Sequence, residues 1–432
     1  MRVLHVGNTA NNGYNNAKLQ RRLGLEADVI FDETHAFSQP EWEDGFVEGP
    51  FDEYAPLADS SRRLGWERPD FVLPTVDPGH TRRFRGQARL EHLASVVGHL
   101  PRLRRRHAAL RKAYEPLREI LGEDLSFGDV LAGERAVWLH RLRLGEPEQL
   151  FARYDVVQAY AYHALLPLFA PKRPFVAFEH GTLRDEPFAG TPRARLLALA
   201  YVLADAVVIT NPDVLPSAKR LGLERYVYVP HPVDETKFTP ADRPARGSGE
   251  FVVFAPARQD WAVKGNDRAL RAFAALADRG VVRPVLVLTE WGVDLERSRA
   301  LVRELGLEEL VRWKPPFPKR QLVDAYRQAD VVVDQFLIPT FGGIAPEAMA
   351  CGLPVVTSYD PALHSWCLEE NPPIFPATTA DEAFEHLRAL AVDKDERARA
   401  GRAGRAWVER HHGWRLVAER QAHLYERLAV TA

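Results

Sequence analysis

Short runs of apolar, often β-branched residues alternate along the chain with longer segments whose apolar positions recur at helical spacing. The runs fall into two series. The first series is VLHV from Val3, DVVQAY from Asp155, FVAFEH from Phe175, AVVIT from Ala206 and YVYVP from Tyr226. The second series is FVVFAPA from Phe251, PVLVLTE from Pro284, LVRWKP from Leu310, DVVVDQF from Asp330 and PVVTS from Pro354. Apolar strands separated by helices are typical of parallel sheets covered on both faces. The pattern therefore predicts an α/β protein with two doubly wound domains.

The two series are separated by VPHPVDETKFTPADRPARGSGE, which begins at Val229 and is rich in Pro, Asp, Gly and Ser. That composition is typical of a linker. The 432 residues of the chain also exceed what one hydrophobic core of ordinary size accommodates. We therefore predict an N-terminal Rossmann-like domain over 1–238 and a C-terminal Rossmann-like domain over 239–413.

Two segments depart from this alternation of strands and helices. The stretch from about 79 to 145 is rich in Arg and helical in pattern, which predicts an insertion in the first domain. The last residues, 414–432, include WRLVAERQAHLYERL, whose apolar positions recur at near-helical spacing. This spacing predicts an amphipathic terminal helix. Such a helix must pack on another surface, and the N-terminal domain is one candidate.

Composition narrows the class of protein. A hydrophobic fraction of 46% and a charged fraction of 27% are ordinary for a soluble globular protein, and the net charge of -2 provides no overall attraction for nucleic acid. Cys351 and Cys367 lack metal-ligand spacing and are predicted to be packing residues in a reducing compartment. The opening MRVLHVGN predicts a first strand and no signal peptide. We therefore expect a cytoplasmic protein.

The strongest local signal is FGGIAPEAMACGLPVV from Phe341, a glycine-rich turn between a strand and a short helix. Gly342 and Gly343 would let backbone N–H groups, together with that of Ile344, approach a phosphate or sugar oxygens at a helix N-terminus. Glu347 stands one turn further on, where its carboxylate could accept hydrogen bonds from both hydroxyls of a ribose. The alternative is a structural turn with a solvent-facing Glu.

A second signal is ARQDWAVKGNDRAL from Ala257, which follows the strand FVVFAPA and opens a helix. Arg258 and Lys264 would lie at the carboxyl end of a parallel strand, where open sheets bind their ligands. Two fixed cations there could neutralise the charge that grows on a departing nucleoside diphosphate. Solvated surface charges are the alternative. Because these cations would supply the charge and no Asp-x-Asp pair is suitably placed, we expect no metal ion.

Together these motifs resemble retaining glycosyltransferase family 4, the glycosyl transferases group 1 of the GT-B fold. The residues that carry the resemblance are Arg258, Lys264, Gly265, Phe341, Gly342, Glu347, Ala348, Met349, Gly352, Pro354 and Val355. HPVDETKF is similar to the connector of that family. The resemblance implies two Rossmann-like domains facing each other across a cleft, and a nucleotide base near Lys314 and Pro315. It also implies transfer from a nucleotide diphosphate sugar with retention of configuration, and assigns a catalytic role to Arg258 and Lys264.

One position departs from the family pattern. The family carries a pair of glutamates eight positions apart, and Pro339 stands eight positions before Glu347. Proline has no side-chain group that binds a hydroxyl, and it fixes φ and lacks an N–H. We therefore expect the sugar contact to come from Asp334, or else from Gln335, at the end of the preceding strand. The alternative is that Asp334 is buried and accepts backbone N–H bonds from the glycine turn.

The N-terminal half carries weaker signals. Asn11, Asn12 and Gly13 form a polar turn before a helix, which could hold a phosphate or acceptor hydroxyls or could simply cap the helix. His180 stands at a strand end in FEHGTLRDEP and resembles the family histidine that approaches the transferring sugar. A histidine satisfied by a backbone carbonyl is the alternative.

A basic cluster, PRLRRRHAALRK, lies within the predicted insertion. If helical, it would place Arg102, Arg105 and Arg106 near one another, with Leu103 and Leu110 on the opposite side. Three interpretations remain open: a solvated helix face, contact with an anionic surface at the inner membrane face or a lipid-linked acceptor, and nucleic acid. Few aromatic residues lie between the arginines, which argues against nucleic acid, so we expect no such partner.

We therefore predict a metal-independent hexosyltransferase without a cofactor, whose donor is a UDP-sugar in preference to a GDP-sugar. The acceptor could be a glycan, a lipid-linked molecule or a small molecule. Two alternatives remain open. One is a GT-B-like protein that binds a nucleotide sugar without turnover, suggested by Pro339. The other is a nucleotide-sugar epimerase, which would require additional carboxylates.

Overall fold

The computed structural model describes residues 1–48, 62–64, 66–75, 100–241, 249–280 and 282–431. Parts of the predicted insertion and linker therefore lie outside the described residues. The strands are β1 (Arg2–Val6), β2 (Glu26–Ile30), β3 (Phe46–Glu48), β4 (Arg62–Leu64), β5 (Val156–Tyr160), β6 (Phe175–Phe178), β7 (Ala206–Ile209), β8 (Tyr226–Tyr228), β9 (Glu250–Ala255), β10 (Arg283–Thr289), β11 (Val311–Lys314), β12 (Val331–Val333), β13 (Val355–Thr357) and β14 (Phe375–Pro376).

Helices connect most of these strands. The α-helices are α1 (Asn12–Arg22), α2 (Pro40–Asp44), α3 (Leu100–Leu121), α4 (Phe127–Leu144), α5 (Pro147–Phe151), α6 (Leu166–Phe169), α7 (Pro192–Leu203), α8 (Leu215–Arg220), α9 (Asn266–Asp278), α10 (Leu295–Glu304), α11 (Lys319–Gln328), α12 (Ile344–Ala350), α13 (Pro361–His364), α14 (Ala380–Val392), α15 (Lys394–His411) and α16 (Trp414–Thr431). The short 3-10 helices are Thr9–Asn11, Ala36–Ser38, Ala161–Leu165, Glu186–Phe188 and Pro212–Val214.

The chain forms two separate parallel sheets, which confirms the predicted fold class. The first sheet has the strand order β2-β1-β5-β6-β7-β8, and the second has the order β11-β10-β9-β12-β13-β14. In each sheet the order reverses beside the first strand of its series, β1 or β9. Every residue of β5, β6 and β7 is buried, as strands covered on both faces require. The carboxyl ends of the central strands are where such sheets bind ligands.

The chain divides into two compact units. Unit 1 contains Met1–Glu33, Arg68–Val229 and Ala418–Ala432, whereas unit 2 contains Thr34–Glu67 and Pro230–Val417. This division differs from the predicted boundaries, because a segment of the N-terminal half belongs to unit 2.

Hydrogen bonds within unit 2 explain the position of that segment. The Lys237 ammonium donates to the carbonyl and carboxylate oxygens of Glu43, at 2.8 and 2.9 Å. Helix α2 also lies against α11, and the Gln321 side chain donates to the Val47 carbonyl at 3.4 Å. These contacts join residues nearly two hundred or more positions apart, so no local pattern could reveal them.

The end of α16 is fixed to unit 1 by a buried polar network. Gln20 Nε2 donates to Gln421 Oε1 at 2.7 Å and to the Tyr425 hydroxyl at 3.1 Å. The Tyr425 hydroxyl in turn donates to Gln158 Oε1 at 2.8 Å. All of these side chains are buried, so the hydrogen bonds are strong and their loss is costly. The apolar spacing that predicts this helix reveals nothing of the network.

The described part of the insertion consists mainly of α3 and α4. Leu103 and Leu110 are buried, as expected for one face of α3, and Arg102 and Arg105 are exposed. Arg106 does not join that exposed pair. It forms an ion pair with Glu134 and donates to the Phe169 carbonyl at 2.8 Å. The predicted cluster of three surface arginines is therefore reduced to two.

Within the described residues, no helix is both long enough and apolar enough to span a lipid bilayer.

Candidate functional site

The loop between β9 and α9 carries two of the predicted cationic side chains. Arg258 donates from Nε and Nη2 to Asp260 Oδ2, at 3.1 and 3.0 Å. Asn266 fixes the loop, because its Oδ1 accepts from the Asp260 N–H at 2.8 Å and its Nδ2 donates to the Arg258 carbonyl at 3.1 Å. Arg258 is thus held in an ion pair, and Asp260 reduces the positive charge of the loop. Sequence reasoning missed Asp260, although it stands only two positions after Arg258.

Lys264, near the end of this loop, reaches the end of β12. Its ammonium donates to Gln335 Oε1, and its carbonyl accepts from the Phe336 N–H at 2.9 Å. The other end of the Gln335 amide donates to the carbonyls of Ile338, at 3.3 Å, and Thr340. Gln335 therefore holds the loop after β12. Because both ends of its amide are engaged, it is a poor candidate for the sugar contact that we considered for it.

The glycine turn lies between β12 and α12. Gly342 and Gly343 are half-buried, and no acceptor for their N–H groups is found among the described residues. A Cβ atom added at Gly342 would meet nothing within 4 Å. Ile344 begins α12 and is also half-buried. The turn therefore presents backbone donors that a ligand oxygen could use.

Glu347 is held by two neighbouring side chains. The Lys319 ammonium donates to Oε1, and the Tyr326 hydroxyl donates to Oε2 at 3.3 Å. Burial, with the Glu347 carboxylate adding to it, raises the pKa of Tyr326 well above its usual value, so the hydroxyl keeps its proton. Glu347 is only 8% exposed, so it is not the solvent-facing residue of the alternative interpretation. Sequence reasoning missed Lys319, whose only local signal is its position at the start of α11.

A charge network extends from Glu347 to the segment Thr34–Glu67, which lies in the N-terminal half of the sequence but belongs to unit 2. Burial alone would raise the pKa of Glu43, but the Lys237 and Lys319 ammonium groups outweigh it and hold the pKa below its ordinary value. Lys237 also lies 3.5 Å from Asp44. Both lysines are thus shared among carboxylates, and Glu347 belongs to a hydrogen-bonded network that fixes its side chain.

Asp334 directly follows the central strand β12 and is buried at 4% exposure. Its Oδ1 accepts no hydrogen bond within the described structure, and no N–H of the glycine turn donates to this carboxylate. Asp334 is therefore buried, as that alternative states, but the hydrogen bonds from the glycine turn that it also requires do not form among the described residues. Burial raises the pKa of Asp334, the Lys264 ammonium opposes that rise, and Glu347 adds to it. These three predicted site residues are thus close enough to influence one another.

Lys314 and Pro315 lie at the end of β11, where both are exposed. Strand β10 separates β11 from β9 in the sheet, so these two residues stand apart from the Arg258 loop. The Lys314 carbonyl accepts from the Glu290 N–H at 2.8 Å, which holds together the ends of the two neighbouring strands. The structure brings Lys264, Asp334, Glu347 and the glycine turn together, and leaves Lys314 and Pro315 at the side of that group.

In unit 1 the polar turn after β1 is held by its own hydrogen bonds. Asn11 occupies the position before α1 but makes no side-chain cap. Instead Asn8 accepts from the Tyr14 N–H at 2.7 Å and donates to Asn11 Oδ1 at 2.9 Å. A Cβ atom at Gly13 would lie 2.1 Å from the Gly7 carbonyl oxygen. The helix-cap interpretation is therefore wrong for Asn11, and Gly13 allows the turn to pack closely against the strand end.

The side chains of His180 and Asn12, two of the predicted site residues, are in contact. Asn12 Nδ2 lies 3.2 Å from His180 Nδ1. Burial, and secondly the Arg184 guanidinium, lower the pKa of His180 to about 4, so the ring is neutral at neutral pH. Arg184 is itself held by Asp213, at 2.5 and 2.9 Å. Arg184 belongs to the motif FEHGTLRDEP, but the motif does not indicate its effect on the histidine.

Glu179, next to His180, is a fully buried carboxylate with several donors. Its Oε1 accepts from the backbone N–H groups of Thr210 and Asn211, both at 3.1 Å, and its Oε2 accepts from the Gly181 N–H at 2.6 Å. It therefore ties the end of β6 to the end of β7 and fixes the backbone on either side of His180. The sequence offers no signal for this role beyond a glutamate at a strand end.

A further cluster, which sequence reasoning missed entirely, contains Asp32, His140 and His163. Asp32 Oδ2 lies 2.8 Å from His140 Nδ1, and Asp32 Oδ1 lies 2.9 Å from His163 Nε2. Burial acts to raise the pKa of Asp32, but its hydrogen bonds to both imidazoles hold that pKa far below its usual value. The three residues come from distant parts of the chain, so their spacing carries no recognisable motif.

Comparison with known proteins places these observations in a family. Residues 239–407 match the family described as glycosyl transferases group 1. A D-inositol 3-phosphate glycosyltransferase of Saccharomonospora viridis is 31% identical over 253 residues, which cover 54% of this chain and 58% of that protein. A second one, of Xylanimonas cellulosilytica, is 30% identical over 54% of this chain and 60% of that protein. The chain thus spans less than two thirds of these relatives.

Solved structures share the fold along nearly the whole chain. The HepE protein of Anabaena in complex with UDP-glucose has a TM-score of 0.62 at 16% identity, covering 99% of this chain and all of that one. Sucrose-phosphate synthase of Thermosynechococcus elongatus has a TM-score of 0.59 at 16% identity over the full length of both chains. The resemblance stated from the sequence is confirmed. The protein has the GT-B fold, and its residues 239–407 are similar to the glycosyl transferases group 1 family.

Proposed function

We propose that this chain is a glycosyltransferase that takes a sugar from a nucleotide diphosphate donor, preferably UDP-linked, held by unit 2. The observation that carries the proposal is the grouping of Lys264, Asp334, Glu347 and the glycine turn at the carboxyl ends of β9 and β12. A phosphate-binding turn, a cation and a carboxylate suited to a diol are the groups that a nucleotide sugar needs. The UDP-glucose bound by the HepE protein supports the choice of base.

Within this proposal, Lys264 contributes more charge to the donor diphosphate than Arg258 does. The Arg258 guanidinium is paired with Asp260, whereas the Lys264 ammonium is hydrogen-bonded to the neutral amide of Gln335. Negative charge grows on the leaving diphosphate in the transition state, so a cation that meets it lowers the barrier. The ion pair would hold Arg258 in place and reduce its effect.

Glu347 would bind the hydroxyls of the donor ribose in the same proposal. Lys319 and Tyr326 fix both carboxylate oxygens, and each oxygen keeps a further lone pair for a hydroxyl donor. Asp334, buried with an unpartnered Oδ1, is the carboxylate nearest in sequence to supply the sugar contact that Pro339 cannot. Its approach to a sugar would give that oxygen a hydroxyl donor and so remove the cost of leaving it unsatisfied.

We further propose transfer with retention of configuration, without a protein nucleophile and without a metal ion at the diphosphate. The acceptor hydroxyl would attack from the side of the leaving group and pass its proton to the departing phosphate oxygen. In unit 1, the neutral His180 and Asn12 would offer polar groups to substrate hydroxyls. Orientation and charge stabilisation would then be the main contributions of the protein.

The names of the curated relatives suggest the first acceptor to examine, an inositol phosphate. Glycans and lipid-linked molecules remain the other acceptors of our prediction. Arg102 and Arg105, which are exposed on α3, would favour an anionic surface beside a lipid-linked acceptor. Arg106 does not contribute to this surface, because its guanidinium forms an ion pair with Glu134.

A transfer assay tests the proposal. The purified chain is incubated with UDP-glucose, UDP-N-acetylglucosamine or GDP-mannose, with and without inositol 3-phosphate, and released nucleotide and glycosylated product are measured. We expect turnover with a UDP-sugar, an α-linked product by NMR, and equal rates with and without added Mg²⁺ or Mn²⁺. If no nucleotide sugar is bound or consumed, the assignment of unit 2 is wrong.

Pro339 favours a second candidate function, in which the protein binds a nucleotide sugar without transferring it. Its backbone is fixed in place, because its carbonyl accepts from the Asp360 N–H at 3.2 Å, and its ring offers no hydroxyl contact. Binding measured by thermal shift, since a bound ligand raises stability by mass action, together with neither transfer nor hydrolysis would favour this candidate. Turnover would exclude it.

A further inference from the structure

Three side chains that commonly bind metal ions converge in unit 1, and none of them is assigned to the donor. Asp32 follows β2, His163 lies in the 3-10 helix after β5, and His140 lies on α4. One nitrogen of each imidazole and one oxygen of the carboxylate lie within 4.8 Å of one another. The ends of β2 and β5, the strands on either side of β1, thus supply two of the groups, and the helical insertion supplies the third.

The geometry requires little change to accept an ion. The Asp32 carboxylate bridges the two rings at 2.8 and 2.9 Å, and the ring centroids lie 4.9 Å apart with planes inclined by 49°. Zinc bonds histidine nitrogen and carboxylate oxygen at about 2.0–2.2 Å, which separates neighbouring ligand atoms by roughly 3–4 Å. Small rotations of the side chains would therefore turn this bridge into three bonds to one central ion.

A second layer of groups orients His163. Its Nδ1 lies 3.7 Å from Glu33 Oε1, so the nitrogen turned away from Asp32 faces a carboxylate. Glu33 accepts in turn from the Asn8 N–H at 2.7 Å. Histidines that bind metal ions have such a carboxylate or carbonyl on the other ring nitrogen.

The backbone confines the same ring. A Cβ atom at Gly7 would come within 2.5 Å of His163 Nδ1, so the ring packs directly against the end of β1. Ala161, two positions before His163, has a φ of 47°. A non-glycine residue in this left-handed region is strained, and such strain persists where surrounding structure holds it, often at functional sites.

Burial differs among the three groups in a way that suits a metal ion with an open position. The side chains of Asp32 and His163 are 8% and 7% exposed, whereas that of His140 is 24% exposed. An ion bound between them would reach solvent on the His140 side, where water could complete its coordination.

We propose that Asp32, His140 and His163 bind a first-row transition-metal ion such as Zn²⁺. Two imidazoles with one carboxylate suit zinc and its neighbours, whereas Mg²⁺ prefers oxygen ligands alone. The ion links α4 to the ends of β2 and β5, so its chief effect is to stabilise unit 1. None of these three residues is assigned to the donor diphosphate or to the proposed transfer reaction.

Metal titration of the full chain tests this proposal. The protein is treated with a chelator, desalted, and titrated with Zn²⁺ by calorimetry and with Co²⁺ by visible absorption. We expect one equivalent of either ion to bind, a d–d absorption band typical of low-coordinate Co²⁺, and a higher melting temperature with Zn²⁺.

The variants make the test specific. His140→Ala removes the most exposed ligand, so the fold should survive, and we expect Zn²⁺ affinity to fall by at least about 100-fold. Glu33→Gln should weaken binding by about 10- to 100-fold, as the loss of an outer carboxylate usually does. His423→Ala, which alters an exposed histidine on α16, is the matched control and should bind as the wild type does. Absence of binding to the wild type, or equal binding by His140→Ala, would overturn the proposal and leave a carboxylate that bridges two imidazoles.

Discussion

The carboxyl ends of the two sheets carry polar residues of different kinds. In unit 2, the glycine turn presents backbone donors, and Arg258 and Lys264 are partly exposed. In unit 1, Glu179 accepts from backbone groups of neighbouring strand ends, and His180 is held neutral by burial. Polar groups that satisfy one another inside a protein mainly set its stability. Groups that meet charge developing on a substrate mainly set the rate.

This difference yields a simple expectation. On the proposed function, changes in the unit 2 group should lower turnover and leave stability almost unchanged. Changes at the strand ends of unit 1 should lower stability first.

The largest effect is expected for the two cations of unit 2. Lys264→Ala should lower turnover by about 10²- to 10³-fold, and Arg258→Ala by less, because Asp260 already offsets the charge of Arg258. Both variants should keep the wild-type melting temperature. Steady-state rates with a UDP-sugar and thermal unfolding measure the two quantities, and Lys394→Ala, an exposed lysine on α15, is the control. Unchanged turnover in both variants would show that Arg258 and Lys264 do not stabilise the donor diphosphate.

The opposite behaviour is expected for Glu179. In the wild type, both carboxylate oxygens of Glu179 accept hydrogen bonds from backbone N–H groups. In Glu179→Gln, an N–H₂ group replaces one of these oxygens and faces backbone donors. The free energy of unfolding should therefore fall by about 2–3 kcal/mol. Urea denaturation measures the loss, and Glu224→Gln, at an exposed position, should cause almost none. A Glu179→Gln variant that is fully stable but inactive would break the contrast between the units.

Glu347 is an intermediate case, because it is both buried and assigned to the substrate. Glu347→Gln should raise the Kd for a UDP-sugar by about 10- to 30-fold, since charge-assisted bonds to two hydroxyls are lost. Calorimetric titration measures this change, with the 2′-deoxyribose donor as a second ligand. If the wild type and the variant discriminate equally well against the deoxyribose donor, Glu347 does not bind the ribose.

The pH dependence of stability distinguishes unit 1 in another way. The folded-state pKa of His180 is about 4, against an ordinary value of 6.5, so the unfolded chain binds more protons in this window. The stability that His180 contributes above pH 6.5 is therefore lost as the pH falls towards 4. At pH 5 we expect a loss of about 1–2 kcal/mol, which His180→Asn should abolish. A variant with the wild-type pH profile of unfolding would show that His180 is not held neutral.

The smallest effect is expected on the surface of α3, where neither stability nor turnover of a soluble acceptor should change. Arg102→Ser and Arg105→Ser should each weaken binding to anionic vesicles by roughly 1 kcal/mol. Vesicle flotation at increasing salt measures this, and Arg106→Ser should instead lower stability, because Arg106 pairs with Glu134 inside unit 1. Equal flotation with neutral and anionic vesicles would show that the surface of α3 does not bind anionic lipid.

The sequence predicted those structural features whose interacting residues lie close together in the chain. Short apolar strands, glycine turns and strand-to-helix loops involve neighbouring residues, so their spacing predicted two doubly wound sheets and the positions of Arg258, Lys264 and Glu347 in loops or at a helix start. The same local logic misplaced Arg106, because helical spacing does not show what packs against a helix. It also placed Gln335 beside the sugar, although its amide accepts from Lys264 and donates within its own loop.

By itself, the sequence determined the fold class, the family resemblance and the residue types available for binding a nucleotide sugar. Only the tertiary structure decided which charges are paired, as for Lys319 with Glu347, and which carboxylates are buried, as for Glu179. It also joined Asp32 to His163, 131 positions away. Pairings of this kind depend on the packing of distant segments, and chain spacing cannot specify them. For that reason the candidate donor site could be foreseen from its motifs, whereas the histidine–aspartate cluster could not.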